Sequence, residues 1–256
     1  MGSADLATLA PAELLAKIDR GRLPRHVAVI MDGNGRWARR RGFRDRIRGH
    51  ESAIDAVRDT VTASAELGLT ALTLYSFSKE NWRRPRAEIS ALMGLLDRFL
   101  LEERPTMLDN SVRLVASGDT ADLPDAVQAR LRETMELTRH CPGLVLNLAL
   151  SYGGRQEIVR AARALAGKVR RGEMQEAEIT EASFERHLFH PELPHPDLMI
   201  RTSGEMRLSN FLLWQLAYAE FVVMPVLWPD FRRADLYRAL IEFQGRERRF
   251  GGVLRA

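Results

Sequence analysis

The chain has 256 residues and a mass of 29.0 kDa, which is long enough for one large α/β domain with a substantial core. Hydrophobic residues make up 45% of it and charged residues 28%, a balance that excludes a disordered chain. The formal net charge is +4 and the pI about 9.6, with only three lysines (Lys17, Lys79 and Lys168). Arginine grips phosphate oxygens bidentately, so nucleic acid, an anionic membrane surface or phosphorylated small molecules are permitted partners.

Cysteine content and hydropathy point to the cytoplasm. Cys141 is the single cysteine, so the chain forms no intramolecular disulfide and offers no cysteine cluster for a metal. No apolar run approaches the roughly 20 residues of a membrane helix, and the N-terminus lacks a signal-peptide pattern. We therefore expect a cytoplasmic protein.

The predicted elements alternate between helices and strands. In chain order they are a short helix over 11–20, a strand over 26–31, a loop over 32–36 leading into a helix, a helix over 49–67 and a strand over 71–77. An apolar stripe at helical spacing comes next, in a helix that Pro105 should end or kink: Ile89, Leu92, Met93, Leu96 and Leu100. Strands over 112–116, 144–150 and 198–200 then alternate with helices over 122–138, 154–171 and 233–249, and a further strand should precede Asp230. This rhythm predicts an α/β fold with a mostly parallel β-sheet flanked by helices.

The loop after the first strand contains Gly33-Asn34-Gly35-Arg36-Trp37-Ala38, which fits the loose dinucleotide pattern G-x-G-x-x-A. A dinucleotide site would need an acid about 20 residues further on, at the end of the second strand. Asp55 has that spacing but falls inside a predicted helix, so the context argues against a dinucleotide.

The same loop suits another anion. Its glycines let backbone N–H groups approach a phosphate at a helix start, and Arg36 adds a charged contact. Asp32 should lie at the carboxyl end of a parallel strand, where open α/β sheets bind ligands. An acid beside an anion is repulsive unless a cation bridges them, which suggests Mg²⁺ and a diphosphate or triphosphate. The alternative is that Asp-Gly-Asn-Gly is simply a turn.

Three other segments bear on whether this loop is a phosphate site or a simple turn. Seven arginines lie between 36 and 48, opposed only by Asp45, and they could form a solvated face with nucleic-acid affinity. The segment 78–85 packs a hydroxyl, an amide, an acid and arginines after the second strand, although a helix capped by Ser78 is the simpler interpretation. The segment 200–211 could hold a second phosphate. Glu220 is either a second metal carboxylate or a solvated charge at a helix end.

Five stretches in one order resemble the cis-prenyltransferases: HVAVIMDGNGRWA from His26, the Gly-His pair at 49–50, SFSKENWRRP from 76, IRTSGEMRLSNFLLWQLAYAEF from Ile200, and WPDF from 228. The resemblance runs from about His26 to Arg249. It implies a catalytic domain over 25–256, with an apolar tunnel, after an N-terminal helical extension over 1–24.

The resemblance also implies an activity. Members of the family add isopentenyl diphosphate repeatedly, in the cis configuration and with Mg²⁺, to an allylic diphosphate such as farnesyl diphosphate. The expected product is a medium-to-long polyprenyl diphosphate, like the undecaprenyl-type lipid carrier used in cell-wall and peptidoglycan synthesis. The family further implies a homodimer with no nucleic-acid partner and peripheral contact with the inner face of the membrane through the lipid product. We also predict that the stripe on the fourth predicted helix helps line the tunnel; for each of its residues the alternative is ordinary core packing.

Roles carry over by matching position. Asp32 would be the catalytic acid and metal ligand, Glu220 the second metal ligand, and Asn81 the residue at the proton-accepting position. The allylic diphosphate would be held by Gly33, Asn34, Gly35, Arg36, Trp37, His50 and one loop arginine. Further substrate contacts would come from Ser78, Lys79, Glu80, Trp82 and Arg84. Isopentenyl diphosphate would be held by Arg201, Arg207, Leu208 and Ser209.

Two positions depart from the family pattern. The loop between Asp32 and His50 is one residue longer than expected, so counting back from His50 selects Arg46 while counting forward from Asp32 selects Arg44; we choose Arg46. Met206 stands where some members have histidine. Two rival functions remain: a non-catalytic prenyltransferase-like subunit that supports a partner, and an arginine-rich nucleic-acid-binding protein.

Overall fold

The computed structural model describes residues 6–43 and 47–247. Its strands are β1 (His26–Ile30), β2 (Ala71–Ser78), β3 (Arg113–Ser117), β4 (Val145–Tyr152), β5 (Leu198–Arg201) and β6 (Glu220–Val223). Its helices are α1 (Pro11–Lys17), α2 (Asn34–Arg40), α3 (Ile47–Leu67), α4 (Arg86–Glu102), α5 (Arg104–Asp109), α6 (Asp125–Thr138), α7 (Gly154–Arg170), α8 (Glu181–Glu185) and α9 (Arg233–Gln244). Short 3₁₀ turns include Lys79–Arg83 and Trp228–Asp230.

The six strands form one sheet in the order β3-β4-β2-β1-β5-β6, and every neighbouring pair is parallel. The predicted α/β fold is confirmed. Because parallel strands all end at the same edge, the loops that follow β1, β2 and β5 emerge side by side. Ile30 lies opposite Arg201 in register, which brings the first loop next to the third.

Both faces of the sheet are covered, which explains why the strands read as apolar runs rather than alternating ones. All five residues of β1 are buried. Val27 and Val29 belong to the large core packed under helices, whereas Ala28 and Ile30 belong to a second cluster with Phe211 on the other face. This period of two is the strand geometry expected of β1.

Most predicted boundaries agree with the structure to within a few residues. Pro105 does end the apolar-stripe helix: α4 stops at Glu102, and Pro105 lies in the first turn of α5, where a missing N–H costs nothing. Asp55 lies in a helix, α3, as expected. The last helix is shorter than predicted and ends at Gln244.

The N-terminal helix is packed onto the domain. Leu14 of α1 is fully buried in the large core, and α1 contacts α9. The division of the chain at residue 24 remains a prediction. Within residues 6–43 and 47–247, no helix combines the length and apolarity needed to cross a membrane.

Candidate active site

Asp32 lies two residues beyond β1, at the edge where the strands end. Its carboxylate accepts a hydrogen bond from the Gly33 N–H (2.7 Å) and pairs with the guanidinium of Arg201 (Nη2 to Oδ2, 2.8 Å). Arg201 is the last residue of β5, and its side chain is only 3% exposed. A guanidinium so deeply buried requires an anionic partner, and Asp32 supplies one. The sequence predicted both residues for the site, and the structure brings them together.

Gly33 makes the sharp exit from β1 possible. Its φ of +109° is rarely accessible to other residues, and a Cβ placed there would lie 2.9 Å from a methyl carbon of Leu227. The preceding backbone is held by Thr202, whose hydroxyl accepts from the Asp32 N–H (2.9 Å) and donates to the Asp32 carbonyl (2.6 Å). The Asp32 carboxylate is therefore fixed by both strands.

A cavity of about 350 Å³ opens beside this loop, and its mouth is polar. Ten residues line the mouth: Asp32, Gly33, Asn34, Gly35, Arg36, Arg39, His50, Asn81, Arg84 and Glu88. The side chain of Asn34 is hydrogen bonded to His50 (Nδ2 to Nδ1, 3.1 Å). Their helices approach closely because Gly49 has no side chain; a Cβ there would lie 2.1 Å from the Asn34 carbonyl oxygen.

The interior of the same cavity is apolar. One face of α4 contributes Leu92, Leu95, Leu96 and Phe99, and other elements add Ile54, Val57, Leu148 and Trp228. The predicted apolar stripe is thus confirmed as cavity lining only at Leu92 and Leu96. The other members of the stripe pack elsewhere: Met93 and Leu100 are buried in the core, and Ile89 packs against it. The apolar stripe is wide enough for one side of it to pack in the core and the other side to line the cavity.

A second cavity, of about 520 Å³, lies on the other side of Asp32. It is lined by Ile30, Met31, Asp32, Tyr75, Ser78, Glu80, Asn81, Arg84, Arg201, Ser209 and Asn210. Arg201 donates to the Ser209 hydroxyl (2.8 Å) and to the carbonyl of Arg207. The two cavities share five lining residues: Met31, Asp32, Tyr75, Asn81 and Arg84. The two cavities are therefore neighbours, with Asp32 on the boundary between them.

Several predicted substrate contacts lie outside the lining of both cavities. The buried Trp37 donates its indole N–H to Asp230 (2.7 Å). Lys79 bridges two aspartates, and Trp82 packs edge-on against Phe77 with ring centroids 4.9 Å apart. The exposed Arg207 side chain pairs with Glu205, and Leu208 packs in the second apolar cluster. Arg44 and Arg46 fall outside the described residues.

Glu220 lies far from Asp32 within one chain. It is the first residue of β6 rather than a helix end, and it is in register with Leu198, which pairs with Val27 at the start of β1. Asp32 is five residues beyond Val27, about 17 Å along the strand direction. The Glu220 carboxylate pairs with Arg246 (2.9 Å). A single chain does not bring the two predicted metal ligands together.

Sequence reasoning missed Tyr75, which lines both cavities. Burial raises the pKa of its phenol, so the hydroxyl stays protonated and donates to the Ser209 carbonyl (3.2 Å). Arg39 and Glu88 were also missed. Glu88 pairs with Arg84 (3.0 Å). The one available signal was position, since Tyr75 lies near the end of β2 and Glu88 in the first turn of α4.

The residues present fit a bound Mg²⁺. Among the described residues no group of three or more His, Cys, Asp or Glu side chains converges, so an all-protein metal cage is not formed. Mg²⁺ commonly binds one or two carboxylates together with substrate phosphates and water. Asp32 offers one carboxylate facing both cavities, 31% exposed, next to the arginines that would hold those phosphates.

The arginine-rich segment is not one free cationic face in the part of the chain that is described. Arg36 donates to the Ser203 carbonyl (3.0 Å) and pairs with Glu205 (3.0 Å). Arg41 lies over the Trp37 ring, 4.2 Å from its centroid, and pairs with Asp230. Arg39 lines the first cavity. Arg36 lines the same cavity, whereas Arg41 is held outside it, so the described arginines of this segment are divided between the site and other contacts.

The first cavity has a polar mouth with arginines and an apolar interior. Such a cavity is typical of proteins that bind an amphiphilic molecule with an anionic head group. A family model described as putative undecaprenyl diphosphate synthase matches residues 30–251. The chain belongs to this family of cis-prenyltransferases, as its motifs indicated, and it is a prenyl-transferring enzyme.

Relatives support the assignment over nearly the full length. The isoprenyl transferase of Chlorobaculum tepidum is 51% identical over 229 residues, covering 90% of this chain and 86% of that protein. The isoprenyl transferase of Bacillus subtilis is 47% identical over 234 residues, covering 91% and 90%.

Two solved structures share the fold. Lavandulyl diphosphate synthase from Lavandula x intermedia, in complex with dimethylallyl diphosphate, aligns with a TM-score of 0.86 at 37% identity, covering 90% of this chain and 98% of that one. A probable undecaprenyl diphosphate synthase from Campylobacter jejuni aligns with a TM-score of 0.74 at 36% identity, covering 89% and 98%.

Proposed function

We propose that the protein catalyses the Mg²⁺-dependent, sequential cis-condensation of isopentenyl diphosphate onto an allylic diphosphate, with farnesyl diphosphate as starter. The observation that carries this proposal is the junction of two cavities at Asp32, only one of which continues into an apolar interior. Two diphosphates need two polar sites in contact, and a growing hydrocarbon needs one apolar channel.

The first cavity takes the allylic diphosphate. Asn34, Gly35, Arg36 and His50 surround its head at the mouth, and the chain extends along the leucine face of α4. The solved relative from lavender, whose structure contains dimethylallyl diphosphate, supports an allylic ligand for this fold. Arg84, which lines both cavities, lies where it can contact either head group.

The second cavity takes isopentenyl diphosphate. Arg201 and Ser209 hold its phosphates next to Asp32, and Arg207 contributes mainly through its carbonyl, which accepts from Arg201. Placing the two substrates on either side of Asp32 converts their encounter into a positioned reaction.

The reaction breaks the carbon–oxygen bond of the allylic diphosphate and forms a carbon–carbon bond to the isopentenyl double bond, after which one proton leaves. Asp32 would hold Mg²⁺ together with the substrate phosphates, and the ion, when bound, would stabilise the negative charge of the departing pyrophosphate. Arg36 adds positive charge at that end, and both Arg36 and His50 offer N–H donors there. Asn81 lies at the junction; its amide is a poor base, so we assign it positioning or relay of the proton rather than final acceptance.

The product we propose is a medium-length polyprenyl diphosphate of the undecaprenyl type, used in cell-wall synthesis. The sequence relationship to the undecaprenyl diphosphate synthase family supports this length. Such a product is a lipid, so we place the enzyme in the cytoplasm with peripheral contact at the inner face of the membrane.

We also propose a homodimer. In the described chain β6 is an edge strand of the sheet, and apolar side chains near it are exposed: Met206 is 87% exposed, Tyr218 73% and Phe221 37%. An exposed edge with apolar side chains is usually covered by a partner. A second subunit could also supply the Glu220 carboxylate that one chain keeps away from its own Asp32.

The test is incubation of the purified protein with farnesyl diphosphate, labelled isopentenyl diphosphate and Mg²⁺, followed by separation of products by chain length. We expect a ladder ending in one long product that disappears with EDTA and with Asp32→Ala. No incorporation from farnesyl, geranyl or geranylgeranyl starters would contradict the proposal and favour a partner-dependent subunit.

A further inference from the structure

The short 3₁₀ turn Lys79–Arg83 carries Asn81 to the junction of the two cavities. The Asn81 side chain accepts a hydrogen bond from the Ser78 N–H (Oδ1, 3.1 Å), which leaves its NH₂ group as the donor toward the junction. A single turn between a strand and a helix has few hydrogen bonds of its own. The Ser78 N–H and the Arg84 N–H, which donates to the Asn81 carbonyl (3.0 Å), fix Asn81 within the turn, and contacts from outside must fix the turn itself relative to the sheet.

A chain of side-chain contacts ties the two ends of this turn together. The Trp82 indole N–H donates to the Ser151 hydroxyl (2.9 Å), and that hydroxyl donates to Asp122 (Oδ2, 2.6 Å). The same oxygen of Asp122 accepts from the ammonium group of Lys79 (2.6 Å). Lys79 and Trp82 flank Asn81 in sequence, so these contacts close a ring around it. We call the four residues Lys79, Trp82, Ser151 and Asp122 the anchor ring.

Ser151 is the fixed point of the anchor ring. It is 1% exposed in β4, and its φ of +46° is unusual for a residue with a side chain. Backbone in that region persists only where the surroundings impose it. The hydroxyl uses both its donor and its acceptor within the ring, which fixes its orientation.

Charge strengthens the ring at the Lys79 end. Burial lowers the pKa of Lys79, but its hydrogen bonds to Asp119 and Asp122 outweigh burial and raise that pKa above its ordinary value. The hydrogen bonds from Lys79 and Ser151 lower the pKa of Asp122. Both groups are therefore charged at neutral pH. The Asp119 carboxylate also contacts Lys79 (2.6 Å). Asp119 reaches Ser151 only through its backbone N–H, which donates to the Ser151 carbonyl (3.3 Å) and which an alanine would keep, so Asp119→Ala is the matched control.

We propose that Ser151 and Asp122 are positioning residues that hold Asn81 between the two substrates. Lys79 and Trp82 act through the same ring, which accounts for their place outside the cavities. The inference rests on the proposed function, because it needs a reaction in which Asn81 takes part.

The first test is steady-state kinetics of four variants. Ser151→Ala and Asp122→Ala should lower kcat about tenfold, with the KM of both substrates changed less than about threefold, because misplacement of a reacting group costs rate more than binding. Asp122→Asn keeps an acceptor oxygen and should restore most of the rate. Asp119→Ala should stay within about twofold of wild type. A rate loss in Asp119→Ala equal to that in Ser151→Ala would overturn the inference.

The second test is a double-mutant cycle with Asn81→Ala, measured by single turnover with enzyme in excess. If the ring acts through Asn81, adding Ser151→Ala to Asn81→Ala costs no further rate, whereas additive losses contradict positioning. Amide hydrogen exchange over 79–83 should quicken in Ser151→Ala and not in Asp119→Ala. If the wild type shows no turnover, the proposed function fails, and unchanged exchange in Ser151→Ala would separately refute the ring.

Discussion

Replacement of Leu96 by tryptophan should shorten the product. Leu96 lies on the cavity face of α4, one turn beyond Leu92 and three residues before Phe99, and Glu88 of the polar mouth lies one turn before Leu92. With a rise of 1.5 Å per residue, Leu92 is about 6 Å shallower than Leu96 and Phe99 about 4.5 Å deeper. An indole at each position should therefore block the chain at a different depth. We expect the shortest product from Leu92→Trp, then Leu96→Trp, then Phe99→Trp.

The size of the effect follows from burial of the growing chain. Each isoprene unit has five carbons, and burying a methylene-sized group is worth about 0.8 kcal/mol, so a unit excluded from the cavity loses about 4 kcal/mol. That loss slows the blocked addition by about three orders of magnitude. The product distribution should end abruptly at a shorter length rather than trail off.

The assay is chain-length analysis of labelled products from the three variants beside wild type. Arg98→Trp is the matched control, because Arg98 lies on the exposed face of α4 and lines neither cavity. Unchanged product length with retained activity in Leu96→Trp would remove that residue from the channel. A length order unrelated to depth would refute the cavity as the path of the chain.

Two predictions concern stability. Gly33→Ala adds a clash with Leu227 to the strain of a positive φ, whereas Gly68→Ala has a φ of +80° but open space around it. Gly33→Ala should therefore lower the free energy of unfolding by about 1–3 kcal/mol more than Gly68→Ala. Equal losses of the two variants in urea denaturation would show that the clash does not matter. Burial lowers the pKa of His26 from 6.5 to about 4, so below pH 6.5 the unfolded chain binds a proton that the folded chain does not. The free energy of unfolding should therefore fall by up to about 3 kcal/mol as the pH drops from 6.5 to 4. His26→Gln should reduce this pH dependence. An unchanged pH dependence in His26→Gln would contradict a buried, neutral His26.

The sequence was sufficient for the architecture and for much of the active-site edge. Alternating apolar runs and helical stripes predict a parallel sheet, and in such a sheet Asp32 and Arg201, which follow apolar strands, lie at the same edge. That β1 and β5 are neighbours, and that the two side chains pair, came from the structure. Gly33 was recognisable because few residues other than glycine suit such a turn.

The remainder depended on side-chain direction and on contacts between distant residues. The spacing of residues on α4 indicated an apolar stripe. It could not show which of the apolar residues face the cavity, among them Leu95 and Phe99, because core residues and channel-lining residues are both apolar. Motif matching placed Lys79 and Trp82 at substrate, but it could not show that Asp122 after β3 and Ser151 on β4 hold their side chains outside the lining of both cavities. Glu220 was assigned to the metal without knowing the register of β6, which places it at the far edge of the sheet.

We propose that two separate substrate sites meet at Asp32. The most direct test measures the KM of each substrate in His50→Ala, which alters the first cavity, and in Ser209→Ala, which alters the second. We expect His50→Ala to raise the KM of farnesyl diphosphate about tenfold and leave that of isopentenyl diphosphate within about twofold, and Ser209→Ala to do the reverse. If each variant raised both KM values equally, or if the pattern were exchanged, the assignment of the two cavities would be wrong.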